Sequence, residues 1–274
     1  MVESPTFPWF LQLLEDLSLH ALEIPTHPQD GVDLETLEKA VRQHDVKACI
    51  LIPNFNNPLG FVMPDDKKAI LVALLNAMEI PIIEDDIYGE LYFTPKRPTP
   101  LKAYDRKDLV LYCSSFSKNL TPGLRIGYAL AGRHMERLKR LKLNRTISGP
   151  GFTQWAVAKY LKDGNYDRHL RKLRTSLKNQ VSNSALAVAR YFPEGTKISA
   201  PRGGLALWVQ LPEKVDSLQF FRKAIGRNIA VMPGIMFASG DTFNNCIRIS
   251  CGMPFSDAVE EGLSTLAHII SEMD

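Results

Sequence analysis

The chain has 274 residues, 45% of them apolar and 23% charged, which is enough apolar material for a substantial core and two lobes. Its 33 basic and 30 acidic residues leave a net charge of +3, so there is no electrostatic case for a nucleic-acid-binding surface. No apolar stretch is long enough to cross a membrane, and the start Met1-Val2-Glu3-Ser4-Pro5 lacks the basic and then apolar regions of a signal peptide, leaving the cytoplasm as the default.

Strand and helix signals alternate in the βαβ manner as far as about residue 164. The strand-like run Ala48 to Pro53 ends in Asn57-Pro58-Leu59-Gly60, whose residue types by themselves read as a turn. Asp65 to Ala77 is predicted as an amphipathic helix, with Ile70, Leu71, Leu74 and Leu75 on one face and Pro64-Asp65 at its start. The run Ile80 to Ile83 ends in Glu84-Asp85-Asp86-Ile87-Tyr88, which alone reads as an acidic helix N-terminus. Leu109 to Cys113 is a further strand. It leads into Ser114-Ser115-Phe116-Ser117-Lys118, with Arg125 seven positions after the lysine.

Arg125 to Ala131 reads as a strand and His134 to Leu143 as a basic helix. Arg133, Arg137, Lys139, Arg140 and Lys142 cluster there, but no helix-turn-helix pattern accompanies them, so a solvated face accounts for the charge. Asp163-Gly164-Asn165 breaks the chain before a long charged helix from Tyr166 to Tyr191. Beyond it, Gly203 to Gln210, Ala230 to Pro233 and Cys246 to Ser250 read as strands, and Phe255 to Met273 as a closing helix. Trp208 is expected in the core, and the Gly203-Gly204 pair allows close backbone approach. The division expected is a large domain over 1–164 and a small α+β domain over 165–274. Cys49, Cys113, Cys246 and Cys251 lack metal-type spacing and are expected as free thiols, and no histidine pairs with His or Cys at ligand spacing, so no metal site is expected.

Three motifs each follow a predicted strand, and open α/β sheets bind ligands outside the carboxyl ends of their strands. A lysine placed like Lys118 can form a Schiff base with an aldehyde, while Ser115, Ser117 and Arg125 can hold a phosphate. The aldehyde cofactor that carries a phosphate is pyridoxal phosphate. Asp85 can keep its pyridine nitrogen protonated, and the Asn57 amide and Tyr88 phenol can bond its ring hydroxyl. Lys118 must shed its proton to attack, which burial beside a cation such as Arg125 favours; once freed, its amine can carry a proton between the substrate α-carbon and the cofactor C4′.

On these residues the chain resembles the class I/II aminotransferases of the fold-type-I pyridoxal phosphate superfamily. Asn-Pro-x-Gly, Asp-x-x-Tyr and Ser-x-x-Lys…Arg occur in family order, 28 residues separating Asn57 from Asp85 and 33 separating Asp85 from Lys118. The resemblance implies an α/β fold, a mainly parallel sheet flanked by helices, with a smaller carboxyl-terminal α+β domain. It also implies that Asp85, Asn57, Tyr88, Lys118, Ser115, Ser117 and Arg125 bind the cofactor. Arg248, in Asn245-Cys246-Ile247-Arg248-Ile249-Ser250, resembles the arginine that clamps the substrate carboxylate, and Phe7, in Glu3-Ser4-Pro5-Thr6-Phe7, the ring that stacks on the cofactor. Leu59 stands where the family usually has Thr.

Pro53 to Gly60, Glu84 to Leu91 and Gly164 to Arg171 more narrowly resemble the MocR subgroup of GntR-type regulators, which join a winged helix-turn-helix domain to an aminotransferase-like domain. The expectation is an effector domain that binds pyridoxal phosphate and an amino acid or 2-oxo acid, forms a homodimer, and reaches DNA only through an absent amino-terminal domain. Also expected to be absent are an upstream strand and the Gly-containing loop of a helix N-terminus that binds the phosphate, leaving the cofactor cup incomplete. The alternatives are a fragment of a free aminotransferase, and a truncated remnant that binds nothing.

Overall fold

In the computed structural model, which describes residues 1–273, seven strands form one sheet. They are β1 (Val2–Ser4), β2 (Glu23–His27), β3 (Gly31–Val32), β4 (Cys49–Leu51), β5 (Ile82–Asp85), β6 (Val110–Ser115) and β7 (Gly127–Leu130), in the spatial order β3-β2-β1-β4-β5-β6-β7. The five central strands run parallel, and β3 and β7 close the two edges antiparallel. Parallel strands need crossovers, which α1 (Pro8–Asp16), α2 (Leu34–Gln43) and α3 (Asp65–Ala77) supply. The Asp33 carboxylate accepts from the Thr36 N–H to cap α2, and Asp65 and Asp66 fill the first turn of α3, where carboxylates favour the helix dipole.

One face of the sheet packs Leu51, Ile82 and Val110 against Leu37 and Val41 of α2 and Leu71 and Leu75 of α3. On the other face Val2 and Ile50 meet Leu14 of α1. Each such side chain contributes about 1.5–3 kcal/mol by leaving water. Past the sheet, α4 (Met135–Thr146) and α5 (Gly151–Lys162) lead into the 26-residue α6 (Tyr166–Tyr191). A second, antiparallel sheet follows, with β8 (Lys197–Ile198), β9 (Ala206–Gln210), β10 (Met232–Pro233) and β11 (Cys246–Ser250) in the order β10-β11-β9-β8. α7 (Ser217–Gly226) and α8 (Asp257–Ser271) complete it. Val188 of α6, Val209, Ile247 and Leu266 form its core.

The mixed, mainly parallel sheet is the fold class expected. α3, α6 and β11 have the ends predicted, and Trp208 is buried in the core as expected. Several strands start later than the sequence suggested, β5 at Ile82 and β10 at Met232 among them, and two of the shifts have a visible cause. Residues 122–124 take a tight 3₁₀ turn and Arg125 is left-handed with φ 54°, so β7 begins at Gly127. Gly203 and Gly204 precede β9 rather than open it. Gly203 forms a bridge with Tyr92, and a Cβ there would lie 2.4 Å from the Phe55 ring and 2.6 Å from the Leu91 carbonyl oxygen. The close approach expected of this glycine pair is therefore to the β5 side of the molecule. The four cysteines are free, and no helix among the described residues is long and apolar enough to cross a membrane.

Candidate active site

From β1 the chain turns through α1 to β2 on one side, whereas β4 passes through α3 to β5 on the other. The order of connection thus reverses between β1 and β4, the position at which an open α/β sheet forms a crevice at its carboxyl edge. There the two strands separate, since Val2–Ile50 is their one register pair. A cavity of about 280 Å³ lies at this edge, lined by Phe7 beyond β1, Asn57 beyond β4, Asp85 and Tyr88 at the end of β5, Lys118 beyond β6 and Arg248 of β11. Six residues singled out by motif, from five places in the sequence, thus meet at one cavity.

Alternation along β5 and the residue after it selects among three consecutive acids. Glu84 turns to the far side, where its two oxygens accept from the Leu101 N–H at 2.7 Å and the Lys102 N–H at 2.9 Å; burial pushes it up to about 7. Asp86, fully buried, pairs with Arg97 and accepts from the Tyr112 hydroxyl at 2.8 Å. Asp85 alone faces the cavity. Its Oδ1 accepts from the Ile87 N–H at 3.0 Å, which shapes the turn presenting Tyr88, and burial pushes its carboxyl up to about 6. Burial likewise raises the Tyr88 phenol, and the Arg248 charge works against that rise.

Asn57 is held in a buried turn in which Asn56 Oδ1 accepts from the Leu59 N–H at 3.1 Å and the Gly60 N–H donates to the Asn56 carbonyl at 2.7 Å. Gly60 has φ +78°, a left-handed geometry that suits glycine. Arg248 projects from β11, an inner strand of its sheet, and donates through Nη1 to Asn57 Oδ1 at 2.9 Å. Its guanidinium lies 5.5 Å from the Phe237 ring centroid, and its buried Nε has no hydrogen-bond partner. A buried, unspent N–H on a planar cation is suited to an acceptor such as a carboxylate.

Lys118 sits in the turn after β6, tightened by the Leu120 and Thr121 N–H groups donating to the Phe116 carbonyl at 2.9 and 3.1 Å. The expected burial beside Arg125 is not found: both side chains are exposed, because the turn and β7 lie at an open edge of the sheet. Among the described residues the Lys118 ammonium has no hydrogen-bond or ion-pair partner. Ser115, Ser117 and Arg125 stand outside the cavity lining; Ser115 Oγ accepts from the Ser117 N–H at 3.3 Å, and Arg125 reaches the Pro122 carbonyl at 3.4 Å. Phe7 stacks on Trp9 with centroids 5.2 Å apart and meets Phe10 edge-on at 5.6 Å.

Sequence reasoning passed over Trp9, Ile52, Ile87, Leu205, Ala206 and Ser250, which complete the lining. The Phe7-x-Trp9 spacing was the available signal for the aromatic pair. For Leu205 and Ala206 there was none beyond the double glycine.

The donor set fits the pyridine end of a pyridoxal: one carboxylate, an amide, a phenol and an amine at a single cavity. The family described as Aminotransferase class I and II matches residues 1–265. The chain is similar to the uncharacterised HTH-type transcriptional regulator YdcR of Escherichia coli, being 42% identical over 272 residues, a match that takes in 99% of this chain and 58% of that protein. It is 30% identical over 278 residues to aromatic-amino-acid aminotransferase 1 of Thermococcus litoralis, covering 99% of this chain and 66% of that enzyme. The kynurenine aminotransferase of Pyrococcus horikoshii, solved in complex with PMP, superimposes with a TM-score of 0.92 at 29% identity, covering 99% of this chain and 68% of that one. The chain therefore spans about three-fifths to two-thirds of the proteins it matches.

Proposed function

From the chain's membership of the class I and II aminotransferase family, we propose that its cavity binds pyridoxal 5′-phosphate and an amino acid or 2-oxo acid, as the effector-sensing part of a cytoplasmic MocR/GntR-type regulator. The observation that carries the cofactor reading is the meeting of Asn57, Asp85, Tyr88, Lys118 and Arg248 at one cavity. The regulator reading draws on the 42% identity to a protein named as a helix-turn-helix regulator. DNA contact then belongs to a winged helix-turn-helix domain outside the present sequence, and the working assembly is a homodimer.

In this reading Asp85, as a carboxylate, holds the proton of the pyridine nitrogen. Because Asn57 already accepts from Arg248 through Oδ1, its Nδ2 is left to donate to the ring oxygen, alongside the Tyr88 hydroxyl. The Arg248 Nε, unpaired at present, takes a substrate carboxylate together with a second guanidinium N–H. The Phe7 ring stacks on the cofactor, with Trp9 behind it. Ser115, Ser117 and Arg125, flanking or closing the turn of Lys118, bind the phosphate. The bound cofactor supplies an electron sink for the substrate α-carbon, and the Lys118 amine moves the proton to and from that carbon.

A free aminotransferase is the second reading, favoured by the 30% identity to an enzyme that acts on aromatic amino acids. Titration with pyridoxal phosphate, borohydride reduction and mass mapping test the binding site: a saturable adduct on Lys118 is expected, and its absence would leave the remnant reading. Steady amino transfer to a 2-oxo acid would favour the enzyme. Binding without turnover favours the sensor.

A further inference from the structure

Glu3 belongs to none of the roles above, although it is a 0% exposed acid on β1. The regular parallel ladder between β1 and β4 sends the Ile50 N–H to the Met1 carbonyl at 2.9 Å. Its next rung would bring the Ile52 N–H to the carbonyl of Glu3. That N–H goes instead to the Glu3 side chain, donating to Oε2 at 3.0 Å. β1 stays paired with β2 through Ser4 and β4 with β5 through Leu51, so the two strands part from each other and the carboxyl fills the fork. Ile52, which donates to that carboxyl, lines the cavity, and Phe7 and Asn57, beyond the two arms, line it too.

We propose that Glu3 is a positioning residue of this cavity: its carboxyl substitutes for a main-chain carbonyl at the β1–β4 fork and sets the separation of the walls that carry Phe7, Ile52 and Asn57. A strand leaving a sheet exposes a buried N–H that has no water to satisfy it. A side-chain acceptor at the fork removes that cost and fixes where the strands part. The inference rests on the cofactor reading only for what the walls hold; the fork itself is independent of it.

The charge on Glu3 couples to the same place. Burial pushes its carboxyl up to about 8, the Ile52 N–H and the Asn56 amide oppose the rise, and the Asp85 charge adds to it. Its Oε1 has no partner among the described residues. The other acids nearby are turned elsewhere: Glu23 of β2 accepts from the Ser4 hydroxyl and from Ser239, and Glu84 of β5 from Leu101 and Lys102. Of the cations packed on this face, Lys68 of α3 is occupied by Asp65 and the Thr99 carbonyl. A neutral Glu3 thus spares Asp85 a second negative charge beside it. Since the folded value lies above the ordinary 4.5, the buried charge costs the ligand-free fold stability as pH rises from 4.5 toward 8, while the Ile52 N–H bond itself favours the carboxylate.

The test compares the parent chain with Glu3→Gln and Glu3→Ala between about pH 5.5 and 8.5, reading amide exchange over residues 50–60 corrected for its intrinsic pH dependence, and pyridoxal phosphate affinity. Glu3→Gln keeps an acceptor without a titrating charge. It is expected to match the parent at the acid end and to exceed its protection by about tenfold at the alkaline end. Glu3→Ala is expected to lose protection at every pH and to weaken pyridoxal phosphate by about tenfold, the cost of an unpaired buried N–H. Protection over residues 50–60 that is the same in Glu3→Ala as in parent and Glu3→Gln would overturn the proposal, and Glu3→Met, which keeps the bulk without an acceptor, decides if Glu3→Ala fails to fold. If exchange separates as expected but the parent binds no pyridoxal phosphate, the cofactor reading falls and the fork role stands. If the cofactor binds and removal of the acceptor leaves exchange over residues 50–60 unchanged, the fork role falls.

Discussion

Arg248 and Asn57 lie 191 residues apart and are joined by a hydrogen bond of 2.9 Å from the guanidinium Nη1 to the amide oxygen. That bond ties the second sheet to the turn beyond β4, across the cavity mouth. It also orients the amide so that its two N–H groups face away from the arginine. One cation thus sets the direction of a neutral donor and retains an unspent N–H of its own.

Arg248→Ala is therefore expected to weaken amino-acid binding by about tenfold or more, the loss of charge-assisted bonds worth about 1.5–3 kcal/mol, and to leave pyridoxal phosphate affinity within about threefold. Absorbance titrations with the cofactor alone, and then with an amino acid added, separate the two effects. Equal amino-acid affinity in the variant would remove Arg248 from carboxylate binding.

Lys118→Ala is expected to abolish the borohydride-stable adduct, since Lys118 is the lysine that lines the cavity. An exposed side chain without a partner contributes little to the fold, so the stability change should lie within about 0.5 kcal/mol. Mass mapping that finds the adduct on another lysine, in the parent, would refute the assignment.

Asp85 gives a pH signature. With its carboxyl raised to about 6, the ligand-free site loses negative charge as pH falls through that value, so cofactor affinity should drop below about pH 6. For the fold the sign is opposite: an acid raised above its ordinary 3.8 stabilises the ligand-free chain at low pH and costs stability as pH rises toward 6. Asp85→Asn should then raise the ligand-free stability at pH 7 by on the order of 1–2 kcal/mol while removing the pH dependence of cofactor binding. Denaturant melts and titrations at several pH values check both signs, and a variant less stable than the parent would contradict the argument.

These predictions use residues that the sequence named, and the reason is local. α6 was legible because its polar and apolar positions repeat at helical spacing over 26 residues, and β11 because a short apolar run carries one arginine. Asp85 could be separated from Glu84 and Asp86 only by strand alternation and motif. Glu3 was not legible at all, because its significance comes from the departure of β4 from β1, a contact across 49 positions. The burial expected of Lys118 beside Arg125 was misjudged for a related reason. Spacing from Lys118 gave no information about which edge of the sheet would lie open to solvent.

Gly203 is the last case, and there the sequence indicated the residue but not its neighbour. Its missing side chain leaves room for the Phe55 ring and the Leu91 carbonyl, while Phe93 N–H donates to the Arg202 carbonyl at 2.9 Å and Gly204 N–H to the Leu91 carbonyl at 2.9 Å. The stretch 91–93 follows on the turn of Asp85 and Tyr88, and Leu205, just before β9, and Ala206, its first residue, line the cavity. Gly203→Ala must push Phe55 or the backbone aside, an overpacking cost of about 1–3 kcal/mol. Because the displaced groups bridge the second sheet to the β5 turn, the variant should lose cofactor affinity as well as stability. Pyridoxal phosphate titration beside a denaturant melt reads the two together. A melt that matches the parent would mean that the contact yields without cost, and that this junction does not set the geometry of the cavity.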